Sequence, residues 1–99
     1  MGAITGTLGY STPLAGKRLV TITCSPASAS DTVTLTLASH GVRTIYAVIS
    51  VLTAGQDANL QTIYATFSGL VITLATLNAA GAAATDWTDA AALLLCIAD

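Results

Sequence analysis

Charge is what this chain has least of. Among its 99 residues only Lys17, Arg18 and Arg43 are cationic, only Asp31, Asp57, Asp86, Asp89 and Asp99 are anionic, and glutamate does not occur. Charged residues make up 8% of the chain, against about 25% in an ordinary soluble domain. Three cations cannot supply the many phosphate contacts from which nucleic-acid affinity is drawn, so direct nucleic-acid recognition is excluded as a function class. Histidine and cysteine are almost as scarce: His40 is the only imidazole, and Cys24 and Cys96 are the only thiols. One imidazole and two distant thiols cannot close a zinc shell, and the cysteines lack the CxxC spacing of a metal or redox site. They are expected as buried free thiols, with a Cys24–Cys96 disulfide as the alternative if the first and last core strands are neighbours. Long apolar runs are missing too. The best, Ile45 to Leu52, is interrupted by Ser50, and Ala90–Ala98 is also too short; both fall well below the roughly 20 residues of a spanning helix. The opening Met1-Gly2-Ala3-Ile4-Thr5 lacks the basic and apolar regions of a secretion signal, and Gly6 stands where a myristoylation site needs Ser or Thr. Synthesis in the cytoplasm without a membrane stage is the expectation.

What the chain does have is apolar side chains, 54% of its residues. A domain of this size has a high surface-to-volume ratio and cannot hide so much apolar material inside itself, so part of its exterior is expected to meet other subunits. The length favours one core. We divide the chain into an N-terminal arm or first strand, residues 1–16, and a single β domain, residues 17–99.

Thr, Val, Ile and Tyr recur with period two, the spacing that sends alternate side chains to opposite faces of a sheet. In Leu19–Cys24 this points Val20, Ile22 and Cys24 inward and Thr21 and Thr23 outward. In Asp31–Leu37 it points Val33, Leu35 and Leu37 one way and Thr32, Thr34 and Thr36 the other. Ser25–Ser30, with Pro26, reads as the connection between them. Val42–Thr53 differs, because Ile45, Ala47, Ile49 and Val51 alternate with Tyr46, Val48 and Leu52: a strand apolar on both faces is covered twice, once by its own domain and once by a loop or a partner. Ala54–Asn59 supplies turn chemistry before Leu60–Ser68, so the pair predicts a hairpin. The shared pattern of Thr44–Ser50 and Thr62–Ser68 reads as convergence on strand-forming residues rather than a repeat unit. Ser68-Gly69 predicts a reversal before Leu70–Leu77, and the small residues Asn78–Ala84 predict a flexible crossing at one end. Beyond them the spacing predicts one helical turn near residues 86–91 and a terminal strand, although Ala83 to Leu95 also fits a helical stripe. The fold expected is all-β, an antiparallel β-sandwich or small β-barrel.

No residue set converges on catalysis. His40 beside Gly41 reads as a connection between strands, no GxSxG element accompanies it, and the reading is not an enzyme. Asp57 and Asn59, or Asp86 and Asp89, could be drawn as calcium ligands, but neither group has ordered oxygen spacing, and solvated turns explain them. No metal and no cofactor are expected. The candidate interface residues are Ile4, Leu8, Tyr10 and Leu14 on the glycine-punctuated arm, Tyr46, Val48 and Leu52 on the two-faced strand, and Trp87. An arm of this kind can be an ordinary first strand or can lie along a neighbouring copy. Trp87 plugs the core or anchors a subunit contact.

A short, charge-poor, Thr/Ala/Gly-rich β chain carrying Ala-Ala-Thr-Asp-Trp-Thr-Asp-Ala at Ala83–Ala90 resembles small tailed-bacteriophage virion proteins. The resemblance implies a capsid decoration or cement protein made in the host cytoplasm and resident in the virion. Such a protein oligomerises, a trimer being one closed arrangement, and bridges major capsid proteins to stabilise the shell. The alternatives are a head-tail adaptor, a tail or fibre-associated subunit, or, from a different class, a carbohydrate-binding β module that stacks sugars on Trp87 or Tyr10.

Overall fold

The computed structural model describes residues 2–99, which form two four-stranded sheets packed face to face. In chain order the elements are β1 (Gly2–Ala3), β2 (Thr7–Leu14), β3 (Lys17–Cys24), β4 (Ser30–Thr34), the single helical turn α1 (Leu37–His40), β5 (Ile45–Ala54), β6 (Thr62–Ser68), β7 (Val71–Leu77) and β8 (Ala91–Ala98). One sheet runs β1-β4-β7-β6 and the other β2-β3-β8-β5. Every pairing is antiparallel except the short β1–β4 contact. The all-β expectation is met as a small sandwich.

Period-two alternation builds the core. Val20, Ile22 and Cys24 of β3 and Ala92, Leu94, Cys96 and Ala98 of β8 join Val33 of β4, Ile63 of β6, and Ile72 and Leu74 of β7 in one buried cluster. Threonine is the commonest outward residue of the first sheet: Thr66, Thr73 and Thr32 lie side by side across β6, β7 and β4, with Thr34 and Thr62 on the same face among Tyr64, Val71 and Leu77.

The N-terminal segment serves both sheets. β1 lies beside β4, Ile4 N–H donates to the Thr32 carbonyl at 2.9 Å, and the chain then crosses so that β2 pairs with β3. Gly6 is buried at the crossing, where an added Cβ would lie 2.6 Å from Val33 Cγ1 and 2.7 Å from Ile22 Cγ2, one from each sheet. Its carbonyl oxygen accepts from His40 Nε2–H at 2.7 Å, while His40 Nδ1 accepts from Thr36 N–H at 3.0 Å. Both ring nitrogens are therefore spent on backbone, and His40 is a structural clamp between α1 and the crossing.

Four expectations are corrected. β4 ends at Thr34: Thr36, still extended, caps a helical turn that begins at Leu37, its hydroxyl accepting from Ser39 N–H, and Gly41 at φ 68 closes the turn, so Leu37 is exposed instead of inward. A side-chain cap available at Thr36 wins over the strand alternation. Residues 86–91 are not helical; Ala90 N–H reaches the Trp87 carbonyl at 3.0 Å in a turn through Asp89 at φ 57, and β8 follows. β5 and β6 do not form a hairpin in one sheet. They are edge strands of different sheets, meeting at the seam where the Ser50 hydroxyl donates to the Ile63 carbonyl at 3.4 Å. The fourth is the parity of β5: an irregularity between Ile45 and Ala47 turns Ile45 into the core, where simple alternation would group it with Ala47, Ile49 and Val51.

At one end of the sandwich a polar network ties the loops together. Asp31, buried, accepts from Ala27 N–H at 3.0 Å, Ser28 N–H at 3.1 Å and the Ser28 hydroxyl at 2.6 Å. Thr76, also buried, donates its hydroxyl to the Ser28 carbonyl at 3.2 Å and accepts from the Trp87 indole N–H at 3.0 Å. Trp87 packs with Leu52 against a satellite cluster of Leu60, Ala84 and Ala90. The chain from Asp31 to Trp87 thereby fastens the 78–90 crossing to β7.

The cysteines lie on neighbouring strands and do not pair. Cys24 faces Ala92 and Cys96 faces Val20, so four residues, roughly 13 Å of strand, separate them, well beyond disulfide reach. Burial pushes both thiols up to about 11, with the Asp31 charge adding to the effect at Cys24. A raised pKa means that the neutral thiol is favoured in the folded state. Its contribution is complete below the ordinary thiol value of about 9 and is lost as pH rises toward about 11. Chemical unfolding between these values should show falling stability, and a Cys24→Ala, Cys96→Ala double variant should flatten that slope.

β2 and β3 are joined by Ala15 and Gly16 at φ 47 and 84. Left-handed conformation at both positions is what a tight hairpin demands, and alanine tolerates it poorly. Ala15→Asn should raise stability by roughly 0.5–1 kcal/mol, a few degrees in Tm by calorimetry.

Candidate interaction face

The outer face of the β2-β3-β8-β5 sheet departs from the mixed, threonine-rich surface opposite it. Register places Ala47 beside Ile97 and Leu19, Ile49 beside Leu95 and Thr21, and Val51 beside Leu93 and Thr23. The inward partners of these rows, Val20, Ile22, Leu94 and Cys96, are buried, which fixes the aliphatic rows as outward. Ile49 is 66% and Val51 48% exposed, and no loop of the described residues covers them. The face grades from aliphatic on β5 and β8 to threonine on β3 and β2, where Thr21, Thr23, Thr7 and Thr12 continue the rows.

Ionic groups cluster at its two ends. Lys17, Arg18 and Arg43 gather where β3 begins and β8 ends: Arg18 pairs with Ala98, Arg43 N–H donates to the Asp99 carbonyl at 2.6 Å, and Lys17 Nζ sits 4.3 Å over the Tyr46 ring. The Arg18 guanidinium is held by the Gly41 carbonyl and the Ser11 hydroxyl. Asp57, Asp86 and Asp89 lie at the far end, in the loops that follow Ala54 and precede Ala91, the terminal pair of β5 and β8. Two of these aspartates serve their own loops. Asp57 accepts from Asn59 and Leu60 N–H, and Asp86 accepts from the hydroxyl and N–H of Thr88, which hold its carboxyl below the usual value.

The predicted interface residues divide by position. Ile4, Val48 and Leu52 pack against the main core, and Trp87 packs at the end of the sandwich. Leu8, Tyr10, Leu14 and Tyr46 are exposed, Tyr10 most of all, beside an irregularity in β2. On β5 the outward apolar residues are thus Ala47, Ile49 and Val51, which the sequence reading recognised as one of two faces but did not single out; the signal that could have found them is Leu93, Leu95 and Ile97 in the neighbouring strand, which carry the same parity.

Two shallow clefts, about 430 and 420 Å³, flank the N-terminal crossing. Their linings are mainly threonine and small apolar residues, and the one imidazole in them, His40, already has both nitrogens engaged. No group of three or more His, Cys, Asp or Glu side chains is placed to hold a metal among the described residues. No helix among them is long and apolar enough to cross a membrane. No family model matches this chain, and neither a curated protein nor a solved structure matches it.

Proposed function

We propose that this chain is a structural subunit of a virion, a capsid decoration or cement protein that associates with copies of itself and bridges major capsid proteins. The observation that carries the reading is the unbroken aliphatic block on one outer face of the sandwich, Ala47, Ile49, Val51, Leu93, Leu95 and Ile97, whereas the opposite outer face intersperses its threonines with Tyr64, Val71 and Leu77. Exposed aliphatic patches of a few hundred Å² mark interaction sites, because leaving them wet forfeits the free energy of burial. A sheet face also suits repeated assembly. Its side chains stand on a hydrogen-bonded frame, so docking orders few additional rotamers. The scarcity of charge fits a surface destined to be covered, since interface centres are depleted in Lys, Glu and Asp.

Purified particles provide the test. Quantitative mass spectrometry should find the protein in shell-like stoichiometry, in hundreds of copies, and particles lacking it should lose heat resistance. A few tens of copies or fewer would move the assignment to the neck or tail. Glycan binding by the isolated protein together with no particle association would replace it with the carbohydrate-binding reading.

A further inference from the structure

We propose that the aliphatic sheet face is occupied by a second copy of this chain, related by a two-fold axis that lies in the interface and runs across the strands through the Ile49–Leu95 row. The inference rests on the assembly reading and adds the partner and its orientation.

Two axes could bring a sheet face onto itself. An axis parallel to the strands through the middle of the sheet would lay β5 over the threonine half of the partner, and wherever such an axis is placed it sets Lys17, Arg18 and Arg43 against the same three cations. An axis across the strands reverses strand direction but keeps strand order, so β5 lies over β5 and β8 over β8. The aliphatic half then meets the aliphatic half. Ile49 and Leu95 fall at the axis, the Ala47–Ile97 row faces the partner's Val51–Leu93 row, and the threonines of β3 and β2 form the rim. The same rotation brings the cation end over the end bearing Asp57, Asp86 and Asp89. Asp99 offsets part of the cation charge, and a net positive end remains. The ends of β3 lie roughly 23 Å apart, beyond a Debye length at physiological salt, so each end senses its own partner. Charge match excludes every axis parallel to the strands, and apolar match over the whole face selects the same axis across them.

The size is adequate. Four strands spaced about 4.8 Å apart and eight residues long present about 500 Å² per copy, about 1,000 Å² in total, where specific interfaces begin. Aligned stacking of two twisted sheets is an established packing mode.

The test is sedimentation velocity over a dilution series with variants of the full chain, their folding checked by circular dichroism. Ile49→Asp, doubled at the axis, should weaken self-association by about 100-fold or more, and Thr66→Asp on the opposite outer face should leave it unchanged. Lys17→Glu and Asp89→Lys should each weaken it roughly tenfold, and their combination should restore it. Ile49→Cys copies should be linked to one another by a short bismaleimide, the native thiols being buried, whereas Lys17→Cys copies should not. A wild-type chain that sediments as single copies at every concentration would overturn the proposal, as would equal loss in Ile49→Asp and Thr66→Asp. Failed rescue by the charge swap, or linkage through Lys17→Cys, would overturn the orientation. The outcome is separable from the virion reading: a two-fold pair without particle binding leaves this inference standing and removes the virion role, and particle binding by single copies does the reverse.

Discussion

Gly6→Ala should lower stability by about 3 kcal/mol, because a single added methyl group enters a space already filled from both sheets. The close atoms are branch methyls on Val33 and Ile22, whose β-branched side chains have one favoured rotamer and little room to turn aside. Relief therefore requires the crossing itself to move, which lengthens the His40 contact to the Gly6 carbonyl. For a chain of this length that loss should appear as a fall of more than 10 °C in Tm by calorimetry. A second substitution identifies the cause. Val33→Ala alone should destabilise by leaving a cavity, yet in combination with Gly6→Ala it should cost less than the sum, because the new methyl fills part of the space that the old ones vacate. Strict additivity would show that the close approach at Gly6 is not what constrains the residue.

Asp31→Ala should be of similar size, about 3 kcal/mol by urea denaturation. The carboxylate collects three donors, two of them backbone N–H groups of the 25–30 connection; hydrogen bonds to a charged acceptor are worth about 1.5–3 kcal/mol each, and partners stranded without solvent add to the loss. Asp31→Asn should recover part of it, since an amide oxygen still accepts. The substitution should also be felt at two distant reporters. The Cys24 thiol should titrate below its present value of about 11, still raised because burial is the larger cause. The Trp87 indole should also become more accessible to a fluorescence quencher, as loosening of Ser28 propagates through Thr76.

Much of the sandwich was legible from alternation alone. Leu19–Cys24 and Leu70–Leu77 read correctly because Val20 and Ile22 in one and Ile72 and Leu74 in the other are large, apolar and evenly spaced, and nothing local competes with the ladder. The terminal strand was also read correctly, while its alternative as a helix arose because Ala and Leu suit both periods. The misread elements share a different origin. At Leu37 a hydroxyl two residues past the end of β4 offered a backbone N–H an alternative partner, and extended structure gave way to a turn. At Tyr46 one irregular residue reversed the parity of everything before it, a change that composition cannot reveal when both faces are apolar. The assignment of β5 and β6 to different sheets depends on which strand each finds as a neighbour, and turn chemistry between two strands is the same whether the chain turns within a sheet or passes between sheets.

The interaction face was half legible for the same reason. Doubled apolarity in Val42–Thr53 signalled that two coverings were needed, but the sign of each residue depended on the irregularity at Tyr46. The charge pattern was wholly hidden, because Lys17 and Arg43 become neighbours only once β8 has brought β3 and β5 to either side of itself.

That central position of β8 has a kinetic side. Its two flanking ladders join residues 91–98 to residues 17–24 on one side and 45–54 on the other, so the β2–β3 hairpin and β5 cannot be joined into one sheet before residues 91–98 are in place. Contacts so distant in sequence place the chain among slow folders, on the scale of milliseconds to seconds. Until then β3 and β5 stand with open hydrogen-bonding edges, and nascent copies crowded on one message are at their most vulnerable to pairing with each other.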